Sequence, residues 1–167
     1  PVVSGVTLAP EAGGDTYINS AMVCTVTGVT DADTADSIRY DYRWYVDGAL
    51  IHEDLDSGYG DTTGSYDLTD AGLGTANFGD DVYCTATPVD EHGGEGDAVA
   101  SDTVTLTNEP PLIDMTLVFE DTGALGFDVG DEVTCSVAIE DLDGNGTEYA
   151  VNWYVSDDAT YDGSELV

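Results

Sequence analysis

Apolar and polar residues alternate along much of this chain with a period of two. In Met22-Val23-Cys24-Thr25-Val26-Thr27 the even positions are apolar, and both threonines fall on the other face. Tyr40, Tyr42, Trp44 and Val46 share one side of a segment whose other side carries Arg39, Asp41 and Arg43. Such alternation belongs to half-buried β-strands, with the apolar face toward a core. Asp41 between two arginines predicts a charge cluster on a solvated face. Further strands are predicted at 2–8, 65–68, 81–87 and 99–107, separated by turns rich in Gly and Asp. No stretch carries a helical stripe of useful length. Short strands at this spacing without helices predict an all-β chain of antiparallel sheets packed as a β-sandwich.

The pattern occurs twice. Residues 22–46 align with residues 133–155, so that Cys24 matches Cys135 and Trp44 matches Trp153, each pair about 110 residues apart. That interval is a whole domain, far longer than a solenoid repeat. Thr107-Asn108-Glu109-Pro110-Pro111 marks the boundary, because two prolines stiffen a short polar segment. The expected organisation is a complete sandwich over 1–108, a Glu-Pro-Pro linker at 109–111 and the opening strands of a second, incomplete domain over 112–167.

Cys24 and Cys84 fall on predicted strands with Trp44 between them in sequence, the Cys…Trp…Cys order of an immunoglobulin-type core. A disulfide closing that loop would contribute roughly 4 kcal/mol in the chain-entropy model and implies an oxidising compartment. The alternative is a pair of buried free thiols in a cytosolic protein. Cys135 has no partner in its own repeat. Measured against the first repeat, the second lacks the strands equivalent to 65–68, 81–87 and 99–107, which leaves an uncovered face and open edges. Either the polypeptide continues beyond Val167 or strands of another molecule complete the domain. The opening on Pro1 without an initiator Met is that expected of a mature or excised piece, so a missing signal peptide says nothing about localisation.

These residues resemble the tandem immunoglobulin-like or PKD-like repeats of large prokaryotic cell-surface and secreted proteins. The elements that carry the resemblance are Val29-Thr30-Asp31-Ala32-Asp33, Trp44-Tyr45-Val46-Asp47-Gly48, Gly79-Asp80-Asp81-Val82-Tyr83-Cys84 and Asn108-Glu109-Pro110-Pro111. The resemblance implies spacers, adhesive stalks or lattice building blocks rather than catalysts. The chain departs from the antibody pattern at one point: Val82, not a tyrosine, stands two residues before the second cysteine.

Composition narrows the partners. The chain has 167 residues, 35 of them Asp or Glu and two of them Arg, with no Lys, for a formal net charge of −33. Two arginines cannot neutralise a run of phosphates, so nucleic acid is excluded, as is docking to an anionic membrane through a basic patch. Without lysine there is no Schiff base, no P-loop and no Lys–Asn isopeptide bond. No apolar run approaches the roughly 20 residues that span a bilayer as a helix. Hydrophobic residues still make up 41% of the chain, with ten Tyr and two Trp, which is enough for a core. The acid is therefore expected in turns and on outward strand faces, a surface suited to salty, cation-rich surroundings in which self-repulsion is screened over about 8 Å.

Two acidic loops are the best candidates for chemistry. Asp31, Asp33 and Asp36 follow the Cys24 strand, and Asp141, Asp143, Asn145 and Glu148 follow the Cys135 strand. Hard cations such as Ca²⁺ take six to eight oxygens, and clustered carboxylates repel one another without a cation. The competing reading is that Asp, Asn and Gly simply make turns. Glu109 is a further candidate ligand between domains. Asp141-Leu142-Asp143-Gly144-Asn145-Gly146 looks like the first half of a calcium loop, yet the position of an EF-hand's bidentate Glu falls at Asn152, so an EF-hand is excluded. Asn145-Gly146-Thr147 is also a glycosylation sequon, which competes for Asn145.

Enzymatic readings find little support. His52 and His92 each stand beside a glutamate in loop-like segments and are expected to be solvated surface residues. There is no nucleophile elbow and no zinc-spaced histidine pair. Carboxylate pairs for glycoside hydrolysis are too easily found among 35 acids to mean anything. Cys135 occupies the disulfide position of its repeat, which points to an unpaired structural cysteine rather than a nucleophile. The expected function is a non-catalytic structural protein, extracellular or at the cell surface, that builds a filament, lattice or adhesin stalk with copies of itself or neighbouring repeats, stiffened by divalent cations. The alternative is a carbohydrate- or protein-binding accessory module of a secreted enzyme, with an aromatic patch drawn from Tyr59, Tyr66 and Tyr161.

Overall fold

The computed structural model describes residues 1–71, 76–120, 132–141 and 148–153. The chain divides into two compact units, Pro1–Pro110 and Pro111–Val167. The division falls inside the segment read above as the linker.

In the first unit the strands are β1 (Val2–Val3), β2 (Val6–Pro10), β3 (Ala21–Val26), β4 (Val29–Thr30), β5 (Ile38–Val46), β6 (Ala49–Asp54), β7 (Thr63–Asp67), β8 (Asp81–Asp90), β9 (Val99–Ala100) and β10 (Val104–Thr105). All pairings are antiparallel. One sheet has the order β2-β3-β7. A larger one runs β10-β8-β5-β6 with β9 also on β8, and β1 pairs β4. No α-helix occurs among the described residues; Leu68–Ala71 form one 3-10 turn.

The period-two pattern sorts side chains as expected. Met22, Cys24 and Val26 of β3 face inward, as do Tyr40, Tyr42, Trp44 and Val46 of β5 and Val82, Cys84 and Ala86 of β8. These side chains, with Leu8 of β2 and Tyr66 of β7, form one hydrophobic core shared by the two main sheets. Cys24 and Cys84 are joined by a disulfide that ties β3 of one sheet to β8 of the other, with Cα atoms 6.1 Å apart. Trp44 is the register partner of Cys84 on the adjacent strand, so the indole packs beside the bridge.

The outward face of β5 carries the expected charge cluster in a particular pairing. Arg39 contacts both Asp41 (2.5 Å) and Asp56 (2.8 Å), whereas Arg43 reaches across to Glu53 on β6 (2.6 Å). Beside them Tyr45 and Tyr83, opposite each other on β5 and β8, stack with ring centroids 4.7 Å apart.

Several boundaries differ from the expectations. Residues 2–8 form two strands because the chain changes partner at Ser4-Gly5: Ser4 N–H donates to Gly28, and Gly5 C=O accepts from Thr27. Residues 99–107 likewise split, since Ser101 leaves the ladder to bond Cys84 through both its N–H and its Oγ. Strand β6 was not foreseen. It exists because Asp47-Gly48, with φ of 47° and 78°, makes a two-residue turn that folds the chain back on β5. Asp47 also exchanges hydrogen bonds with the backbone of Asp81, which fastens this turn to the start of β8.

In the second unit β11 (Leu112–Glu120) and β12 (Glu132–Glu140) pair antiparallel along their whole length, with Leu117 opposite Cys135. Cys135 is a half-buried free thiol. Leu112, Ile113 and Met115 are exposed, as are Tyr149, Val151 and Trp153.

Candidate cation site

The segment between β4 and β5 is short, acidic and turn-forming. Asp31 Oδ1 accepts the Asp33 N–H at 2.9 Å, and Asp33 C=O accepts the Asp36 N–H at 3.0 Å, so each turn is closed by the residue types that favour it. This folding gathers the carboxylates. Ligand oxygens of Asp31, Asp33 and Asp36 all lie within 4.8 Å of one another.

A second group shares Asp36. Ile38 is the register partner of Asp90, so the segment entering β5 lies against the turn leaving β8. Asp90 Oδ1 accepts the N–H groups of His92 (2.9 Å) and Gly94 (2.8 Å), shaping a turn that holds Gly93 at φ 84°. His92 Nδ1 then sits 3.2 Å from Asp36 Oδ2, and ligand atoms of Asp36, Asp90 and His92 also lie within 4.8 Å of one another. The result is an open recess of about 520 Å³ lined by Asp33, Asp36, His92 and small residues.

Charge shifts follow from these contacts. The Pro1 ammonium, 2.9 Å from Asp31 Oδ2, holds the Asp31 carboxyl below its ordinary value, helped by the Asp33 N–H. The hydrogen bond and charge of Asp36 raise the His92 imidazole above its ordinary value. The His92–Asp36 attraction is therefore fully present below the ordinary histidine value near 6.5 and is lost as pH rises through the raised folded value. Titration of the His92 ring by NMR should give a pKa above that of a free histidine, and Asp36→Asn should return it toward that value. A His92 pKa that Asp36→Asn leaves unmoved would contradict the pairing.

Asp31, Asp33 and Asp36 offer only oxygens and Asp36, Asp90 and His92 add a nitrogen, and either group could hold a metal ion. Asp90 and His92 were not among the residues expected here. Their turn is more than fifty residues from Asp36, and only the β5–β8 pairing unites them.

None of the other expected site residues joins these groups among the described residues. Glu109 accepts a hydrogen bond from Asn19 Nδ2 at 3.1 Å, and among the described residues it is in neither group of three potential ligands. Asp143 and Asn145, hence also the sequon, lie outside the described residues. Asp141 is half-buried and Glu148 exposed, and among the described residues neither joins a group of three potential ligands. His52 is no surface loop residue: it lies on β6, half-buried, stacked on Tyr66 at 4.1 Å and 5.4 Å from the Trp44 ring centroid. Tyr66 is buried in the core, so it cannot serve an exposed aromatic patch; Tyr59 is exposed, and Tyr161 lies outside the described residues. No helix among the described residues is long and apolar enough to cross a membrane.

Compared with family models, with curated proteins and with solved structures, the chain matches none of them.

Proposed function

We propose that this chain is a non-catalytic structural protein of the cell surface or its secreted matrix, in which tandem immunoglobulin-like sandwiches build a filament, lattice or stalk. The observation that carries this reading is the buried Cys24–Cys84 bridge between two antiparallel sheets beside a fully buried Trp44. A disulfide across a shared core resists extension and unfolding, which is the property a load-bearing spacer needs, and it persists in oxidising surroundings. In this reading the acidic trio holds a divalent cation that stiffens the loop entering β5. The high negative charge keeps copies apart until salt or cations screen them.

Negative-stain microscopy and light scattering of the 167-residue protein, with and without Ca²⁺, test the assembly. Ordered polymers that loosen on chelation at low ionic strength are expected. A protein that stays monomeric in every condition, with its second repeat fully folded, would sink the proposal. The cation is tested separately by calorimetric titration with Ca²⁺, where Asp33→Asn with Asp36→Asn should abolish the saturable heat. Equal binding by that variant would place the ion elsewhere.

A second reading, a carbohydrate- or protein-binding accessory module, draws on the half-buried Tyr45–Tyr83 stack on the outward face of the larger sheet, next to exposed Leu50. Aromatic faces of this kind favour ligand contact. Saturable binding on a glycan array that Tyr45→Ala and Tyr83→Ala both remove would favour it.

A further inference from the structure

Tyr45 on β5 and Tyr83 on β8 are register partners, and their rings stack with centroids 4.7 Å apart and planes 6° from parallel. Both are half-buried on the outward face of the larger sheet, so solvent reaches both rings. None of the other described tyrosines combines these features. Tyr40 and Tyr42 lie 6.0 Å apart at 40° and are 1% and 0% exposed. Tyr66 is buried against His52, and Tyr17, Tyr59 and Tyr149 have no tyrosine ring against them among the described residues. Two phenols held together and open to solvent are the arrangement that one-electron oxidation converts into a cross-link. An oxidised phenol gives up its hydroxyl proton and becomes a phenoxyl radical, with spin on the ring carbons beside the one that bears oxygen. Two such radicals couple only on meeting, and between protein molecules at micromolar concentration meetings are rare. On neighbouring strands of one sheet the encounter is already made, and groups so placed react as though at very high concentration. Half-exposed rings also turn readily, which lets the stack open into bonding geometry.

We propose that Tyr45 and Tyr83 are a site of oxidative cross-linking, joined ring carbon to ring carbon by a peroxidase acting with hydrogen peroxide, so that β5 is tied covalently to β8. Each ring yields one electron and its hydroxyl proton to the peroxidase. The enzyme passes both pairs to one hydrogen peroxide, whose O–O bond breaks, and two waters form. The radicals then join through one Cε carbon of each ring, and the hydrogens on those carbons move to the phenol oxygens, which restores both aromatic rings. The Cys24–Cys84 disulfide joins β3 to β8 across the two sheets. The new bond joins β5 to β8 within one sheet, so three strands become a single covalent unit. Other covalent ties are closed to these strands, since the chain has no Lys for an isopeptide bond and Cys24 and Cys84 are already joined. The use of this bond rests on the structural reading above, as a lock on a load-bearing domain; its formation rests on the geometry of the pair.

The test treats the 167-residue protein at micromolar concentration with a purified peroxidase and limiting hydrogen peroxide, in a Cys135→Ser background so that the free thiol does not consume the oxidant. Dityrosine fluorescence reads the yield, and mass spectrometry of the digest reads the partners. The expected product is monomeric, with one peptide of Tyr45 and one of Tyr83 joined at a mass two hydrogens below their sum. Tyr45→Phe and Tyr83→Phe each keep a ring in the stack but remove a phenol, and each should lower the monomer's dityrosine by at least about tenfold, the advantage of a prearranged pair. Tyr59→Phe and Tyr149→Phe should leave it unchanged. A yield that survives Tyr45→Phe, or dityrosine found only in dimers linked through Tyr59 or Tyr149, would overturn the inference and leave coupling as a property of any exposed tyrosine. Polymers seen by microscopy without the cross-link would leave the structural reading standing, and a cross-linked protein that never assembles would leave only the cross-link.

Discussion

Replacing Cys24 and Cys84 together by serine is expected to destabilise the first unit by about 4 kcal/mol, the chain-entropy value for a loop of this length. The bridge spans 60 residues and is the covalent tie between its two main sheets. Both sulfurs lie in the core, where serine hydroxyls would be buried without the bond that justified the site. Domains of this size carry only about 5–15 kcal/mol in total, so the loss is a large share. The measurement is urea denaturation followed by tryptophan fluorescence in a Cys135→Ser background, which removes the free thiol that would otherwise scramble the pairing. A midpoint within experimental error of the parent's would show that packing alone holds the two sheets together.

Gly64→Ala should cost about 2–3 kcal/mol, far more than its single added methyl suggests. Gly64 is buried on β7, and a Cβ there would meet the Tyr42 ring at 2.6 Å and the Trp44 ring at 3.1 Å. Neither ring can retreat. Tyr42 and Trp44 are fully buried, their ring centroids are 6.0 Å apart, and Tyr66, on the same face of β7 as Gly64, packs 5.9 Å from Trp44. Overpacking of this kind forces off-rotamer side chains or backbone shifts, each worth about 1–3 kcal/mol. The glycine is thus required by close approach and not by backbone conformation. Tyr42→Leu should open the space, so the double mutant should be less destabilised than the sum of the two single changes. Simple additivity would mean that the rings yield, and that Gly64 is replaceable. The Tyr42 hydroxyl, pushed well above its ordinary value by burial, should stay neutral across the range of such measurements.

The contrast between Gly64 and Cys24 illustrates what can be read in advance. The cysteine sat in a six-residue alternation, with a tryptophan and a second cysteine in a known order, so its strand, its face and a candidate partner were all legible. Nothing local distinguishes Gly64 from the chain's other glycines; its importance comes from rings twenty residues away in sequence. Strand β6 was missed for a related reason. Its residues alternate poorly, and an edge strand is specified by its turn and its neighbour more than by its own pattern. His52 was mistaken for a surface residue because its half-buried setting is made by Tyr66 and Trp44, which belong to different strands.

The candidate site divides along the same line. Asp31, Asp33 and Asp36 are close in sequence, and acidic turn residues at that spacing converge through local hydrogen bonds, so the trio was foreseeable. Asp90 and His92 join it only because β5 and β8 pair with Ile38 opposite Asp90. Glu109, a candidate ligand in sequence, accepts a hydrogen bond from Asn19, and its position depends on where Thr107 docks, with both N–H and hydroxyl donating to Thr16 C=O.

By itself the sequence determined the all-β class and the inward and outward faces of β3, β5 and β8, and it made Cys24 and Cys84 candidates for a bond, with two free thiols as the alternative. Period and turn chemistry act over a few residues, and burial of one face follows from them. The tertiary structure alone decided the sheet order, the pairing of Arg39 and Arg43 with their separate carboxylates, the meeting of His92 with Asp36, and the burial of Tyr66. Those depend on which strands become neighbours, a choice made by the packing of the whole core and encoded in no short stretch of chain.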